Sequence, residues 1–236
     1  MPALLLLLAP GAWAQNPSLW RVWKGTDGMP ESYTTTITSG PAGMVWARHG
    51  DVPFISSLDG YTVRGIPNFR SPDKMATQSG IHETRAGQIW TLDPKGLREY
   101  LNGSWLLHPV KEIAEMAQTE RGTSFVAADS DRVLVLLPDR LIEYNAATHS
   151  TRTVKTAGEV GLGWLNQVTQ ARDGSIWMAA ERGIAKLVPT PGSAEYRLAG
   201  TYPIRSLGLG DLRELLEGDN GEWFAACRVA ATGQKA

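Results

Sequence analysis

A repeat with a period of about 44 residues constrains the fold of this chain more than any other feature of its sequence. In each copy an apolar residue is followed six positions later by a turn residue, usually Gly, and then by an apolar or aromatic pair. The copies begin at Ile37, Ile81, Phe125, Val168 and Leu215, at intervals of 44, 44, 43 and 47 residues. A period in the forties with a strand–turn–strand core is typical of β-propeller blades.

Each copy also predicts a third and a fourth strand. Asp59-Gly60 and Asn102-Gly103 follow the third strand of the first two copies, and such pairs tolerate the positive φ angles of tight hairpins. We therefore predict an all-β fold over residues 19–236, a β-propeller of four-stranded antiparallel blades with about four and a half blades present. Only residues 111–120 have a helical period, and we interpret that stretch as a short excursion in a loop between blades.

The repeat count predicts an incomplete ring. The fifth copy supplies two strands before Ala236, whereas propellers of this blade length usually close with about six to eight blades. Leu19 to Trp23 reads as an extra strand ahead of the first blade, placed like the fourth strand of a preceding blade. We expect the chain to be the N-terminal part of a longer protein.

The first residues predict export. Leu4 to Leu8 is an unbroken leucine run, and Ala12-Trp13-Ala14 before Gln15 fits a cleavage site of a signal peptide. We assign residues 1–14 to a signal peptide, which implies a periplasmic or extracellular location. The alternative is a buried N-terminal strand or helix.

The charge balance excludes some partners. With 23 Lys and Arg against 24 Asp and Glu, the net charge is −1, so nothing indicates binding to nucleic acid or to an anionic membrane. Cys227, the single cysteine, has no partner for a disulfide within the chain, and we expect it to be a buried small apolar residue.

Motifs for catalysis or cofactors are missing. The histidines have no metal-ligand spacing, Asp129-x-Asp131 lacks the rest of a calcium loop, and no nucleophile elbow, phosphate loop or dinucleotide fingerprint occurs. We expect no metal, no cofactor and no enzymatic activity.

Charged residues recur at one position of four successive copies, directly after the aromatic strand. Repetition would bring them to one face of the propeller. The simplest interpretation is a solvated polar connection between strands. The functional interpretation is a polar rim that binds a ligand, built from Arg48, His49, Asp93, Lys95, Arg140 and Arg182.

The repeat units resemble a known family. The unit from Ile81 to Tyr100 (IHETRAGQIWTLDPKGLREY) and the unit from Val168 to Leu187 (VTQARDGSIWMAAERGIAKL) are similar to the two-component regulator propeller repeat. Trp20 to Pro30 resembles the segment that leads into the first blade of such proteins. The third copy departs from the pattern, with Asp131 in place of Gly and Leu134 in place of Trp.

This resemblance implies an extracytoplasmic sensor domain of a bacterial membrane-spanning signalling protein. In that family the propeller commonly precedes a transmembrane helix and an output module such as a histidine kinase. The ligand would be an unidentified small molecule or oligosaccharide, a homodimer is possible, and membrane attachment would come only from a segment beyond Ala236.

Two other classes stay open. A secreted adhesion or carbohydrate-binding propeller would have the same sequence over these 236 residues. A propeller lyase or hydrolase would need paired carboxylates or a metal cluster, and its candidates, Asp51 and Asp93, have no visible partner in the sequence.

Overall fold

A computed structural model describes residues 21–41, 43–50, 52–67, 80–116, 123–218 and 220–229. Within them lie four four-stranded antiparallel sheets and one two-stranded sheet. The signal peptide assigned to residues 1–14 falls outside the described residues, as does Asp51.

The sheets follow one another along the chain, one sheet per repeat copy. Blade 1 contains β1 (Thr34–Ser39), β2 (Val45–His49), β3 (Phe54–Leu58) and β4 (Val63–Pro67). Blade 2 contains β5 (Ile81–Glu83), β6 (Ile89–Asp93), β7 (Gly96–Leu101) and β8 (Ser104–Pro109). Blade 3 contains β9 (Ser124–Ala127), β10 (Arg132–Leu137), β11 (Arg140–Asn145) and β12 (Ser150–Thr156). Blade 4 contains β13 (Leu165–Gln170), β14 (Ile176–Ala180), β15 (Gly183–Pro189) and β16 (Tyr196–Pro203). The two strands of blade 5 are β17 (Leu209–Glu217) and β18 (Trp223–Val229).

The first strands of successive blades lie side by side. β1 contacts β5, β5 contacts β9, β9 contacts β13, and β13 contacts β17. Each blade extends outward from this inner row in simple chain order. This arrangement is that of a β-propeller, and the predicted all-β class, the four-stranded blades and the two strands of the fifth copy are confirmed.

Tight turns join the strands where the sequence predicts them. Asn102 and Gly103 connect β7 to β8 with φ angles of 52° and 82°. Both residue types tolerate the left-handed region that a two-residue hairpin requires. The turn fixes the register of the outer hairpin, in which Leu101 pairs with Ser104.

The core consists of apolar seams, by which we mean the packing interfaces between neighbouring blades. Trp46, Ile55, Ile81 and Ile89 pack between blades 1 and 2, which is the first seam. The second seam, between blades 2 and 3, includes Trp90 and Phe125, and the third, between blades 3 and 4, includes Leu134 and Met178. Ala179, Leu212 and the partly buried Cys227 lie in the fourth seam, so Cys227 is less buried than the sequence predicts.

Short helices lie in the connections between blades. α1 (Lys111–Met116) lies within the segment that has a helical period, and α2 (Ala157–Val160) is capped by Thr156, whose side chain accepts a hydrogen bond from the Glu159 amide. The extra strand predicted at 19–23 is wrong for its described part, because Arg21 to Trp23 form no strand and the Arg21 guanidinium lies 3.7 Å from the Trp23 ring centre. Among the described residues no helix has the length and apolar character needed to cross a membrane.

Candidate functional site

Over the described residues, one face of the propeller gathers the turns that follow the second strands of blades 1 to 4 together with the described parts of the connections between blades. We call it the turn face. Backbone hydrogen bonds tie the turns to the connections: Val110 donates to the Lys95 carbonyl over 3.0 Å, and Arg182 donates to the Leu162 carbonyl over 2.9 Å. Because the first four copies place their charged residues at or beside this turn, the predicted rim residues all lie at this end of the blades.

Arg48 is buried, whereas the sequence predicts it on a rim that faces solvent. It lies near the end of β2, and its side chain is 5% exposed because it is directed into the first seam. Its Nη2 donates a hydrogen bond to the hydroxyl of Thr91, on β6 of the neighbouring blade. Among the described residues its buried Nε has no hydrogen-bond partner. Burial lowers the pKa of Arg48 to about 10.

Asp93 enters the same seam from blade 2. It follows Thr91 by two residues on β6, so the two side chains share one face of the strand. Its Oδ2 accepts a hydrogen bond from Arg98 Nε at 2.7 Å, and its Oδ1 accepts one from the Lys95 amide at 2.9 Å. Asp93 is buried, whereas the Lys95 side chain is exposed at the turn. The structure therefore brings Arg48 and Asp93 into one seam with Lys95 at its edge.

His49 is directed to the opposite face of β2 from Arg48, because successive side chains of a strand alternate. Its Nε2 lies 2.8 Å from the Ser56 hydroxyl, and within the described part of the chain its buried Nδ1 is unpartnered. Burial lowers the pKa of His49, and the charge of Glu31 opposes that shift. His49 therefore does not join the Arg48 and Asp93 group.

Arg140 and Arg182 occupy the equivalent turns of blades 3 and 4, and each of them contacts groups close to its own turn. Arg140 is half-buried and pairs with Asp139 at 2.9 Å. Arg182 is exposed and donates to the Gly161 carbonyl at 3.1 Å. Neither of them contacts the first seam.

A second polar group lies in the second seam and has no counterpart among the predicted site residues. His108 Nε2 donates to Glu99 Oε2 at 2.9 Å, and Glu99 Oε1 accepts a hydrogen bond from Gln88 at 2.7 Å. His108 Nδ1 lies 3.0 Å from the Tyr144 hydroxyl, which lies 3.1 Å from His149 Nδ1. Burial and the charge of Glu99 both raise the pKa of Tyr144. Of this group only His149 is exposed, so it connects the buried groups to solvent.

Over the described ranges, no three His, Cys, Asp or Glu side chains come together as a group that could hold a metal ion. Two polar groups that the fold assembles among the described residues are the arginine and aspartate group of the first seam and the histidine and glutamate group of the second.

Comparison with known proteins shows the fold. No protein-family model and no curated protein matches the sequence. A solved streptogramin B lyase is similar in structure, with a TM-score of 0.58 and 18% identity over 84% of this chain and 63% of the lyase. Virginiamycin B lyase from Staphylococcus aureus has a TM-score of 0.58 and 11% identity over 84% of this chain and 64% of the enzyme.

Extracellular domains of two-component systems share the fold as well. The extracellular domain of a proposed hybrid two-component system from B. thetaiotaomicron has a TM-score of 0.53 and 13% identity, over 83% of this chain and 26% of that one. The chain thus spans less than two thirds of the length of any of these three proteins. Extracellular domains are therefore among the propellers that this chain resembles in structure.

The prediction that the chain is not an enzyme is wrong, because the propellers that share its fold include lyases. The prediction relied on the absence of contiguous catalytic motifs. A propeller assembles its site from turns and strands of several blades, so reactive groups far apart in sequence meet without forming a motif. The His108 and Tyr144 contact across two blades is an example within this chain.

Proposed function

We propose that this chain is the ligand-sensing propeller of an exported signalling protein. The observation that carries the proposal is the charged group of Arg48 and Asp93, which lies at the turn-face end of a seam whose core is the apolar cluster around Trp46, Ile55, Ile81 and Ile89. The extracellular domain of a two-component system with the same fold supports it. The proposal also includes a signal peptide, a membrane segment and an output module, which we propose for the whole protein of which this chain is a part.

The first seam offers a mechanism for sensing. Arg48 of blade 1 contacts Thr91 of blade 2, so a ligand that binds its guanidinium changes how the two blades pack. A ligand biases a two-state element only by binding one state more tightly than the other, and a seam with two packing arrangements is such an element. The change then passes to the output module through blade packing or through a dimer interface.

Two measurements test the sensor proposal. Alkaline phosphatase fused after Ala236 reports export, and we expect activity with residues 1–14 present and a loss of activity when they are deleted. The coding sequence downstream of Ala236 is then read for an apolar run of about 20 residues followed by a kinase, cyclase or DNA-binding module. A cytoplasmic fusion, or a downstream sequence without any output module, contradicts the proposal.

A catalytic propeller is the second candidate. The fold shared with two lyases favours it, and so does the His108 and Glu99 pair, because an imidazole held by a carboxylate is suited to proton transfer. The test is incubation of the protein with virginiamycin B, followed by chromatography and mass spectrometry. A changed compound with the wild type, and no change with His108→Gln, supports this candidate. An unchanged compound with the wild type argues against lyase activity of this kind.

A further inference from the structure

The first seam differs from the next two at four equivalent positions near the turn face. One position is on the second strand of the earlier blade, and three are on the second and third strands of the later blade. In the second seam these positions are apolar and buried: Leu92, Val135, Leu137 and Ile142. In the third seam they are again apolar and buried: Leu136, Met178, Ala180 and Ala185. In the first seam every one is polar or charged: Arg48, Thr91, Asp93 and Arg98.

These side chains leave one positive charge without compensation among the described residues. Asp93 pairs with Arg98 at 2.7 Å, which neutralises one arginine. Arg48 forms no ion pair within the described part of the chain, and its only hydrogen bond there goes to the neutral Thr91. A buried guanidinium without an anion is costly, whereas the apolar residues at the equivalent positions fill the other seams at no such cost.

We propose that the first seam is a binding site for a carboxylate, with Arg48 as the residue that binds it. This inference rests on the proposed function, because it names the ligand class of the same site. The free Nε of Arg48 and its terminal nitrogens form a planar fork that matches the two oxygens of a carboxylate. One excess positive charge calls for one negative charge, and the neighbouring Asp93 disfavours a dianion.

Lys95 fits this role from the edge of the site. Its exposed ammonium lies at the turn whose amide holds Asp93, so it attracts anions toward the seam without occupying the site. The ligand is therefore a small molecule with a single carboxylate that reaches the seam from the turn face. A polyol without a carboxylate does not supply the negative charge that Arg48 requires, so we expect it not to bind at this site.

Nuclear magnetic resonance of the Arg48 Nε–H group tests the inference on the whole chain. The signal is assigned by its loss in Arg48→Gln. Sodium acetate and sodium gluconate are added as carboxylate probes, sorbitol is the uncharged counterpart of gluconate, and sodium chloride controls for ionic strength. We expect a saturable shift with acetate and gluconate and none with sorbitol or chloride.

Calorimetry of gluconate binding with matched variants completes the test. Arg48→Gln is expected to weaken binding by about 30-fold or more, because a buried charge-assisted pair is lost. Arg182→Gln, which removes an exposed arginine of the same face, is expected to leave the affinity unchanged within about two-fold. Arg48→Leu restores the residue type of the other seams, so it is expected to abolish binding and to raise the melting temperature. That rise distinguishes a lost ligand contact from a lost fold.

The outcomes separate this inference from the sensor proposal. No saturable shift of the Arg48 signal, an equal response to chloride, or unchanged gluconate affinity in Arg48→Gln overturns the carboxylate site. If an uncharged ligand binds and drives the output module, the sensor function stands and the carboxylate site fails. If gluconate shifts the Arg48 signal while the gene encodes no output module, the carboxylate site stands and the sensor proposal fails.

Discussion

The Nδ1 of His108 in blade 2 and the hydroxyl of Tyr144 in blade 3 lie 3.0 Å apart, so a buried hydrogen bond joins the two blades. The Nε2–H group of His108 donates a hydrogen bond to Glu99. In the neutral imidazole the other nitrogen, Nδ1, is therefore an acceptor, and it accepts a hydrogen bond from the Tyr144 hydroxyl. The blades are thus held together by a specific polar contact as well as by apolar packing.

We predict that Tyr144→Phe lowers the free energy of unfolding by about 1–2 kcal/mol, because the buried Nδ1 of His108 loses its partner. Urea denaturation measures the change. Tyr100→Phe is the matched control, since Tyr100 occupies the same repeat position in blade 2 and is only half-buried. It is expected to stay within about 0.5 kcal/mol of the wild type. Equal effects of the two substitutions would show that the His108 contact does not stabilise the fold.

Trp90 and Trp177 occupy the same repeat position but differ in burial. Trp90 is 0% exposed in the second seam, whereas Trp177 is half-buried against Tyr202 and Trp223. We predict that Trp90→Ala costs about 3–5 kcal/mol, as large core truncations do, and that Trp177→Ala costs about 1–2 kcal/mol because less area leaves water on folding. Urea denaturation of the two variants checks the order, and a larger loss for Trp177→Ala would contradict it.

The repeat predicts the blades because a strand–turn–strand unit of fixed period has few ways to bury its apolar face, and stacking copies is the simplest of them. It does not predict which way a charged side chain points. The sequence indicates only that Arg48 is close to a turn. In the structure β2 continues to His49, and strand alternation directs Arg48 into the seam. Aligning Arg48 with Leu92, Leu136 and Ala179 would have shown a charge in an apolar column.

The histidine and glutamate group illustrates the other limit of sequence reasoning. The spacing of the histidines argues only about metal binding, whereas the partners of His108 are an acidic residue on the adjacent strand and a tyrosine of the next blade. Contacts between blades join residues about one repeat apart, and nothing in a single copy marks them. The charge pattern of the turns does not include Arg98 for a related reason, because Arg98 lies on the third strand.

Gly96 allows β8 to approach the start of β7. Its φ is 154°, and a Cβ there would lie 2.6 Å from the amide nitrogen of Val110 and closer still to the His108 carbonyl. We predict that Gly96→Ala destabilises the protein by about 2–3 kcal/mol, because both the backbone conformation and the close approach exclude a side chain.

Arg140→Ala is the control for Gly96, since Arg140 stands at the same repeat position in blade 3 and already carries a Cβ. Its expected effect is below about 1 kcal/mol, because its ion pair with Asp139 is largely exposed. Thermal or urea unfolding of the two variants measures the contrast. A Gly96→Ala protein as stable as the wild type would show that β8 does not approach Gly96 this closely.

The burial of His82 makes the free energy of unfolding depend on pH between neutral and mildly acidic conditions. It lies on β5 with its ring 4.6 Å from that of Phe125, and burial lowers its pKa to about 4. In the unfolded chain His82 has the ordinary histidine pKa near 6.5. Between pH 4 and pH 6.5 its imidazole is therefore protonated in the unfolded state and neutral in the folded state. Stability is therefore complete above about pH 6.5 and falls as the pH decreases toward 4. His49, whose pKa is also lowered by burial, acts in the same direction.

We expect the free energy of unfolding to fall by about 1–2 kcal/mol between pH 7 and pH 5 because of His82, allowing for the solvent contact that its ring retains. Urea denaturation at several pH values, compared between the wild type and His82→Leu, isolates this contribution. His149→Gln is the matched control, because it removes an exposed histidine by the same measurement. A His82→Leu profile that is as steep as the wild-type profile would show that His82 titrates alike in the folded and unfolded states.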